Sequence, residues 1–417
     1  MPNMDTPNNR LPRFPILIIG GGIAGVTAAV ELAEAGREVI LIEKEAYLGG
    51  NVLKMHNYFP KLCPPACGME INFRRIRNNR RIRVITHTEA MDIAGIKGAM
   101  KVTVRTRPRL VNDLCTACGD CVPVCPVSRP DSFNYNVGET KAIYQVHPLS
   151  YPQIYEIDPN HCTGIDCGLC VDACQYGAIN FNEKEVIDTL DVHAVIVATG
   201  WKNFDPSVIT GLGYDGSPDI VSNVEFERLL SLTGPTNGHL VRPSNGKAPE
   251  SVAFVQCAGS RDRNYLPYCS SVCCSASLKH ALNVAELLPD VQVKIFYIDL
   301  RVYGRNEDFL KRVEHSMNIK LVKGKVAHVE ADDKDGRIIV EAEDIELGKK
   351  CREEFDMVVL ATGIIPSNDV PGTVADEEGF YSVQQETGIY STACAKRPMD
   401  VSASVKDATA AALKAMK

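Results

Sequence analysis

The sequence predicts an α/β chain built from two dinucleotide-domain units, with a cysteine-rich domain inserted into the first. Three observations carry that prediction. A glycine-rich turn, Gly20-Gly21-Gly22-Ile23-Ala24-Gly25, stands between a short apolar run and a helical stretch. Two further apolar runs, Ala194-Val195-Ile196-Val197 and Met357-Val358-Val359-Leu360, each lead into an Ala-Thr-Gly triplet. Between the glycine turn and the first triplet, eight cysteines fall in two groups of four.

Residues 1–15 are polar and proline-rich and read as a short disordered lead. Ile16-Leu17-Ile18-Ile19 is a buried-strand run, and the glycine turn opens a helix to about Ala35, where Gly36 stops it. Val39-Ile40-Leu41-Ile42 is a second strand that ends at Glu43 and Lys44. Strand, G-x-G-x-x-G, helix, strand and terminal acid in that order form a dinucleotide fingerprint. Gly20 allows the tight turn, Gly22 lets the backbone approach a diphosphate, and Gly25 lets helix and strand pack closely. The N–H groups of Ile23 and Ala24 lie at the positive end of the helix, and Glu43 is placed to bind a ribose. The bland alternative is a glycine-rich turn without a ligand. Residues 72–85 hold six arginines, which read as a solvated basic surface, a dock for an acidic partner or a wall over a cofactor phosphate.

Cys115, Cys118, Cys121 and Cys125 are spaced C-x2-C-x2-C-x3-C and followed by Pro126; Cys162, Cys167, Cys170 and Cys174 are spaced C-x4-C-x2-C-x3-C. Thiolates at this spacing hold 4Fe-4S clusters, and the fourth cysteine of each run ligates the other run's cluster. The expected sets are therefore Cys115, Cys118, Cys121 with Cys174, and Cys162, Cys167, Cys170 with Cys125. Structural zinc also uses C-x2-C pairs, but it needs four ligands rather than two runs of four with a proline after the last. A two-cluster ferredoxin domain is thus expected at 111–185, carrying electrons one at a time.

The two triplets, Ala198-Thr199-Gly200 and Ala361-Thr362-Gly363, favour FAD over NAD, because such junctions mark chain crossings in two-dinucleotide flavoproteins of the disulfide reductase type. The expected layout is an FAD-binding part at 12–110, the insert, and an FAD-domain return with a turn-rich linker at 186–244. A second Rossmann-like domain follows at 245–360, with a closing FAD part at 361–417. Gly49-Gly50 are expected near the flavin. The strand-end acid usual after Gly388-Ile389-Tyr390 is missing, and Asp400 is the candidate to replace it.

The second domain opens on Ser251-Val252-Ala253-Phe254-Val255 and lacks G-x-G-x-x-G, so NAD(P)H is not expected as its ligand. Cys257, Cys269, Cys273 and Cys274 gather there, before a helix from about Ser275 to Leu288. They are enough for a third cluster; a redox-active or merely buried cysteine group is the alternative. Cys63 and Cys67 read as a dithiol, partial ligands or inert, and Cys351 and Cys394 as isolated. His193 reads as structural, and His56 and His161 as loop histidines. No catalytic base or nucleophile stands out.

Sixteen cysteines argue for a reducing compartment, a net charge of −7 against non-specific nucleic-acid binding, and the absence of an apolar run of span length against a direct membrane span.

These residues resemble the flavoprotein (A) component of heterodisulfide reductase and its relatives. The sharpest points are Gln256-Cys257-Ala258-Gly259-Ser260-Arg261-Asp262 and Tyr268-Cys269-Ser270-Ser271-Val272-Cys273-Cys274, joined by Tyr58-Phe59-Pro60 before Cys63 and by Lys141-Ala142-Ile143-Tyr144. The resemblance implies FAD, 4Fe-4S clusters and a third cluster on Cys257, Cys269, Cys273 and Cys274. The methanogen-type component is longer, and this chain is expected to be a short form similar to the corresponding flavoprotein of the quinone-interacting membrane-bound oxidoreductase of sulfate reducers. That resemblance implies a cytoplasmic oxidoreductase subunit, peripheral to the inner membrane through its partners. Those partners are a second, related flavoprotein subunit, a haem-containing membrane subunit and adenylylsulfate reductase. It would relay electrons between the quinone-linked subunit and the soluble reductase. The competing expectations are an electron-bifurcating heterodisulfide reductase subunit, an NAD(P)H-linked oxidoreductase of the glutamate synthase small-subunit type, and an assembly scaffold.

Overall fold

The computed structural model describes residues 14–332, 335–382 and 387–417, so the expected lead lies, up to residue 13, outside the described residues. Uninterrupted Ile and Val runs suit strands buried on both faces. Ile16–Ile19, Val39–Ile42 and Ala194–Val197 are buried throughout. They join a parallel sheet in the order Ile389–Ser391, Ala194–Val197, Ile16–Ile19, Val39–Ile42, Ile82–Ile85. Helices Ile23–Glu34, Ala66–Arg77 and Val401–Met416 cover one face through residues such as Val26, Phe73 and Ala408. An antiparallel sheet of Thr88–Ile96, Ala99–Thr106 and Val186–Val192 covers the other, setting Val102, Val104 and Val192 against Leu17, Ile19 and Val197.

The second unit repeats that build. Its parallel sheet runs Ile220–Ser222, Met357–Thr362, Ser251–Ala258, Gln292–Tyr297, Ile319–Lys323. Helices Asn223–Leu229, Cys273–Leu287 and Asn306–Glu314 lie on one face, and the antiparallel strands Val326–Ala331, Ile338–Asp344 and Lys349–Phe355 on the other. Each Ala-Thr-Gly triplet is followed by a short strand, and the two, Trp201–Asn203 and Ile364–Pro366, pair antiparallel. The two passages between the sheets therefore travel side by side.

The cysteine-rich segment leaves from Ala99–Thr106 and returns as Val186–Val192, with Thr106 opposite Val186. Its root is pinned by Asn180 N–H to Leu110 O at 2.9 Å and Asn112 N–H to Ala178 O at 2.8 Å. The stretch between the two cysteine runs folds back onto the first unit. Leu48 N–H donates to Tyr151 O at 2.9 Å, and the rings of Tyr47 and Phe133 meet edge-on at 5.7 Å.

Two element boundaries differ from expectation. The strand expected to end at Val255 continues to Ala258 through a register shift, because Ala258 still pairs with Thr362 while Cys257 takes a left-handed φ of 58°. The helix expected from Ser275 begins at Cys273, so Cys273 and Cys274 fall in its first turn. Among the described residues no helix is long and apolar enough to cross a membrane.

Candidate functional site

The glycine turn is closed on three of its glycines and open at the fourth. A Cβ on Gly20 would lie 2.5 Å from Ala198 O, on Gly21 2.3 Å from Leu48 Cδ2, and on Gly25 1.8 Å from Gly20 O, whereas Gly22 has nothing within 4 Å. That is a cradle in which only the Gly22 side is free for a diphosphate to approach the helix N-terminus. Glu43 is buried behind the turn and accepts from Gly21 N–H at 2.6 Å and Glu45 N–H at 2.9 Å. Burial pushes its carboxyl up, and those two N–H bonds oppose the rise. Gly49 and Gly50 form the opposite wall: Gly49 N–H donates to Gly21 O at 2.8 Å, and a Cβ on Gly50 would sit 3.1 Å from Gly22 Cα. The carbonyl of Lys44 accepts from Arg107 at 2.7 Å. These residues fit the adenosine diphosphate half of FAD.

Ala198, Thr199 and Gly200 adjoin this turn, with Ala198 N–H bonded to Ile19 O at 2.8 Å and Thr199 Oγ1 donating to Ser367 O at 2.7 Å. The structure places Ala361, Thr362 and Gly363 elsewhere, against the segment that carries Cys257, Cys269, Cys273 and Cys274. A Cβ on Gly363 would strike Leu266 and Ser260, and the Cys273 thiol lies 3.5 Å from Thr362 O. Asp400 is the N-cap of the last helix, accepting from Ala403 N–H at 2.7 Å. The acid that reaches the end of strand Ile389–Ser391 is Asp407, missed in the sequence. It accepts from Thr392 Oγ1 and Ala393 N–H, each at 2.9 Å, and from Lys396 Nζ at 2.9 Å. Burial raises the Asp407 carboxyl, but these donors outweigh it and hold the group below the usual range. An acid inside an alanine-rich helix was the available signal.

The eight insert cysteines enclose two cavities. One is lined by Cys115, Cys118, Cys121 and Cys174; the other by Cys162, Cys167, Cys170 and Cys125. Each cavity thus combines three cysteines of one run with the fourth of the other, and Ile143 belongs to both walls. Four thiols around each cavity match the ligand count of a four-iron cube.

A local turn recurs at the third cysteine group. Ala117 N–H donates to Cys115 Sγ, Gly164 N–H to Cys162 Sγ and Ser271 N–H to Cys269 Sγ, each at 3.4 Å. In all three the donor residue is left-handed, with φ of 56°, 81° and 62°. Cys274 Sγ accepts from Arg301 N–H at 3.5 Å. Burial pushes the thiols of Cys257, Cys273 and Cys274 up, and all four cysteines lie within electrostatic reach of one another. N–H···S bonds and a helix N-terminus stabilise sulfur in its ligating thiolate form. Cys63 and Cys67 are exposed, Cys351 is half-buried against Ala342 O, and Cys394 is buried.

A buried polar knot behind the Gly49-Gly50 loop was not read from the sequence. Glu227 accepts from Lys279 Nζ at 2.6 and 2.7 Å, from His56 N–H at 2.7 Å, and from His280 Nε2–H. Burial raises the Glu227 carboxyl, but Lys279 and His280 outweigh it and hold the group well below the carboxylate range. Burial also depresses His280, whose Nδ1 has no partner among the described residues. Next to it, Arg228 binds the flavin-side loop, the insert and Thr233 at once. Val224, Glu227 and Arg228 share one helical face, so a charged pair on an apolar face was the available signal. His56 lends its backbone here, His161 pairs with Asp158 on the surface, and His193 sits at a turn with Gly98 N–H on its carbonyl. The arginine run is largely paired: Arg75 clamps Glu34, Arg74 meets Glu70, Arg81 meets Glu38, and Arg77 lies over Tyr151.

Comparison with known proteins agrees with this geometry. The family described as FAD dependent oxidoreductase matches residues 15–59, and that described as 4Fe-4S dicluster domain matches residues 114–178. The chain is 38% identical over 420 residues to the A component of the ferredoxin/F(420)H(2)-dependent CoB-CoM heterodisulfide reductase of Methanosarcina acetivorans, covering 96% of this chain and 52% of that protein. It is 33% identical over 417 residues to the A component of the H(2):CoB-CoM heterodisulfide,ferredoxin reductase of Methanothermobacter marburgensis, covering 96% of this chain and 63% of that protein. The chain thus spans between half and two thirds of the length of these curated relatives. Among solved structures, the thioredoxin reductase of T. acidophilum superposes with a TM-score of 0.55 at 16% identity over 97% of both chains. That of Lactococcus lactis gives 0.52 at 14% identity, over 97% of this chain and 98% of its own. They share the two-dinucleotide-domain fold.

Proposed function

We propose that the chain belongs with the heterodisulfide reductase A-component flavoproteins, to which it is 33–38% identical in the relatives named above, and that it relays electrons between a membrane quinone-linked subunit and a soluble reductase, adenylylsulfate reductase. That it is an FAD- and 4Fe-4S-bearing oxidoreductase subunit rests on the two family matches and the relatives. When bound, FAD supplies exchange of electron pairs on one side and of single electrons on the other, and the clusters supply single-electron exchange.

The observation that carries the relay is the insert's attachment. Its inter-run segment bonds Leu48 and packs on Tyr47, beside the Gly49-Gly50 wall of the FAD cradle. The chain's own residues then have distinct tasks. The glycine turn holds the diphosphate, and Glu43 the ribose. The insert cysteines hold two clusters, with N–H groups on Cys115, Cys162 and Cys174 tuning them. We assign Cys257, Cys269, Cys273 and Cys274 to a third cluster, on the strength of the repeated left-handed turn at Cys269. Glu227, Lys279 and His280 brace the loop that follows Gly49-Gly50.

Two further readings are kept for test. The relatives are named as CoB-CoM heterodisulfide reductases, which supports, as a second reading, a component that works with a heterodisulfide. An NAD(P)H-linked enzyme is disfavoured by the second unit itself, since a bulge at Cys257 and two cysteines in the first helical turn stand where a nucleotide would need glycines. Anaerobic mixing with NADH or NADPH is expected to leave the flavin oxidised; rapid bleaching contradicts the reading. Iron analysis is expected to give about twelve irons per chain for three four-iron clusters; eight removes the third. Anaerobic affinity purification is expected to retain a flavoprotein and a haem-bearing membrane subunit, and capture of heterodisulfide-reducing subunits instead overturns the partner assignment.

A further inference from the structure

We propose that the rim of the cavity walled by Cys125, Cys162, Cys167 and Cys170 is the docking lip for a one-electron carrier protein with an apolar contact ringed by basic side chains. The proposal rests on the relay reading above and adds the exit and the chemistry of the partner.

The second cysteine run is longer than the first by two residues between its first two cysteines, and the structure shows what they do. The stretch folds as a short 3-10 turn, Gly164–Asp166, which pushes Ile165 outward at 64% exposure. Gly168, left-handed at φ 59°, then starts the helix Leu169–Ala173, whose first residue is 46% exposed and also lines the cavity. Val124, the chain neighbour of the cavity-lining Cys125, is 38% exposed. Three large apolar side chains thus stand partly in water around one cluster cavity.

The charge around them is one-sided. Residues 111–185 contain ten Asp and Glu against three Lys and Arg, so the whole net charge of −7 falls in the insert and the rest of the chain is balanced. Asp166 and Asp172 flank Ile165 and Leu169, are exposed, and enter no ion pair among the described residues. Cubes held by four thiolates add further negative charge. An apolar centre in an acidic field repels anionic membranes and polyanions and attracts a basic protein face.

The test uses the reconstituted holoprotein, reduced anaerobically, with cytochrome c as the probe because its haem edge is apolar and ringed by lysines. The second-order reduction rate is expected to fall steeply with ionic strength. Reversing the rim charges with Asp166→Lys and Asp172→Lys is expected to slow it about tenfold at low salt and flatten the salt dependence. Glu286→Lys with Asp290→Lys, the same charge change on an exposed part of the second unit, is expected to leave the rate within about twofold. Ile165→Ser with Leu169→Ser is expected to lower the rate at saturating cytochrome c while keeping the salt slope. Iron content and visible spectra confirm that each variant keeps its clusters. Rim variants that match the unaltered protein, or a control pair that slows it equally, overturn the docking lip. A reduced protein that passes no electrons to the probe overturns the relay itself.

Discussion

Arg228 Nε donates to Asn134 Oδ1 at 2.7 Å, tying a helix of the second unit to the stretch between the two cysteine runs. The same guanidinium, fully buried, donates to Lys54 O at 2.6 Å and Thr233 O at 2.9 Å. One side chain therefore fixes the insert, the loop behind the FAD cradle and the second unit together. Lysine cannot reproduce a planar fork of donors. Arg228→Lys and Arg228→Met are each expected to destabilise the protein by about 3 kcal/mol, since buried acceptors are left without donors. The urea midpoint checks this, and an unmoved midpoint contradicts it.

A second contact across the insert boundary is sensitive to pH. His87 Nε2 and Glu156 Oε2 lie 3.4 Å apart. Burial pushes Glu156 up to about 7, and burial with Arg109 and Arg107 pushes His87 down to about 3. Arg109, Arg129, Tyr144 and Glu45 also face the Glu156 carboxyl. A raised acid binds its proton more tightly folded than unfolded, so its contribution is full below about 4.5 and is lost as pH rises through about 7. His87 runs the opposite way, but it is common to the unaltered protein and to Glu156→Gln. The stability difference between those two proteins is therefore expected to shift by about 3 kcal/mol in favour of the variant from pH 4.5 to pH 8. Paired melts at the two pH values measure it; a constant difference contradicts the assignment.

What could be read in the sequence was whatever is local. The cysteine runs, the glycine turn and the Ile and Val strands declare themselves within a few neighbours, because ligand spacing and burial on both faces are short-range requirements. Arg228 with Asn134 and Glu227 with Lys279 and His280 are far apart in sequence, so the charged pair on an apolar helical face signals burial but not which partners meet it. The same holds for Asp407, whose partner strand end is set by the return of the last helix. Cys257 shows a subtler limit: the strand's length depended on pairing between Ala258 and Thr362, which no local pattern records.

Asp407 and Asp400 separate two tasks at the chain's last helix. Asp407→Ala leaves Ala393 N–H and Thr392 Oγ1 without an acceptor and is expected to cost about 2 kcal/mol. It is also expected to weaken FAD retention, because the strand end it holds adjoins Val197 and the first triplet. Asp400→Ala removes only a helix cap, at about 1 kcal/mol, with FAD retained. Flavin content after gel filtration and thermal midpoints distinguish the two.

The proposed third cluster has its own signature. Cys269→Ser is expected to reduce iron from about twelve to about eight per chain while the ferredoxin signals persist. Cys63→Ser with Cys67→Ser, both exposed, is expected to leave iron unchanged. Equal iron in Cys269→Ser and the unaltered protein contradicts ligation there.

The glycine turn gives the sharpest separation of folding from binding. Gly25→Ala places a methyl 1.8 Å from Gly20 O, and Gly20→Ala meets Ala198 O in a left-handed backbone at φ 105°, so both are expected to fold poorly. Gly22 is different: its φ of −70° suits any residue, and a Cβ there touches nothing within 4 Å. Gly22→Ala is therefore expected to fold at least as well as the unaltered protein, with a gain of up to about 1 kcal/mol from the less flexible unfolded chain. Its methyl occupies the one open side of the cradle, so FAD affinity is expected to fall at least about tenfold, equivalent to 1.4 kcal/mol. Flavin titration of the apoprotein beside its melting curve reads both quantities. Normal FAD binding by Gly22→Ala would mean that the diphosphate does not approach through Gly22.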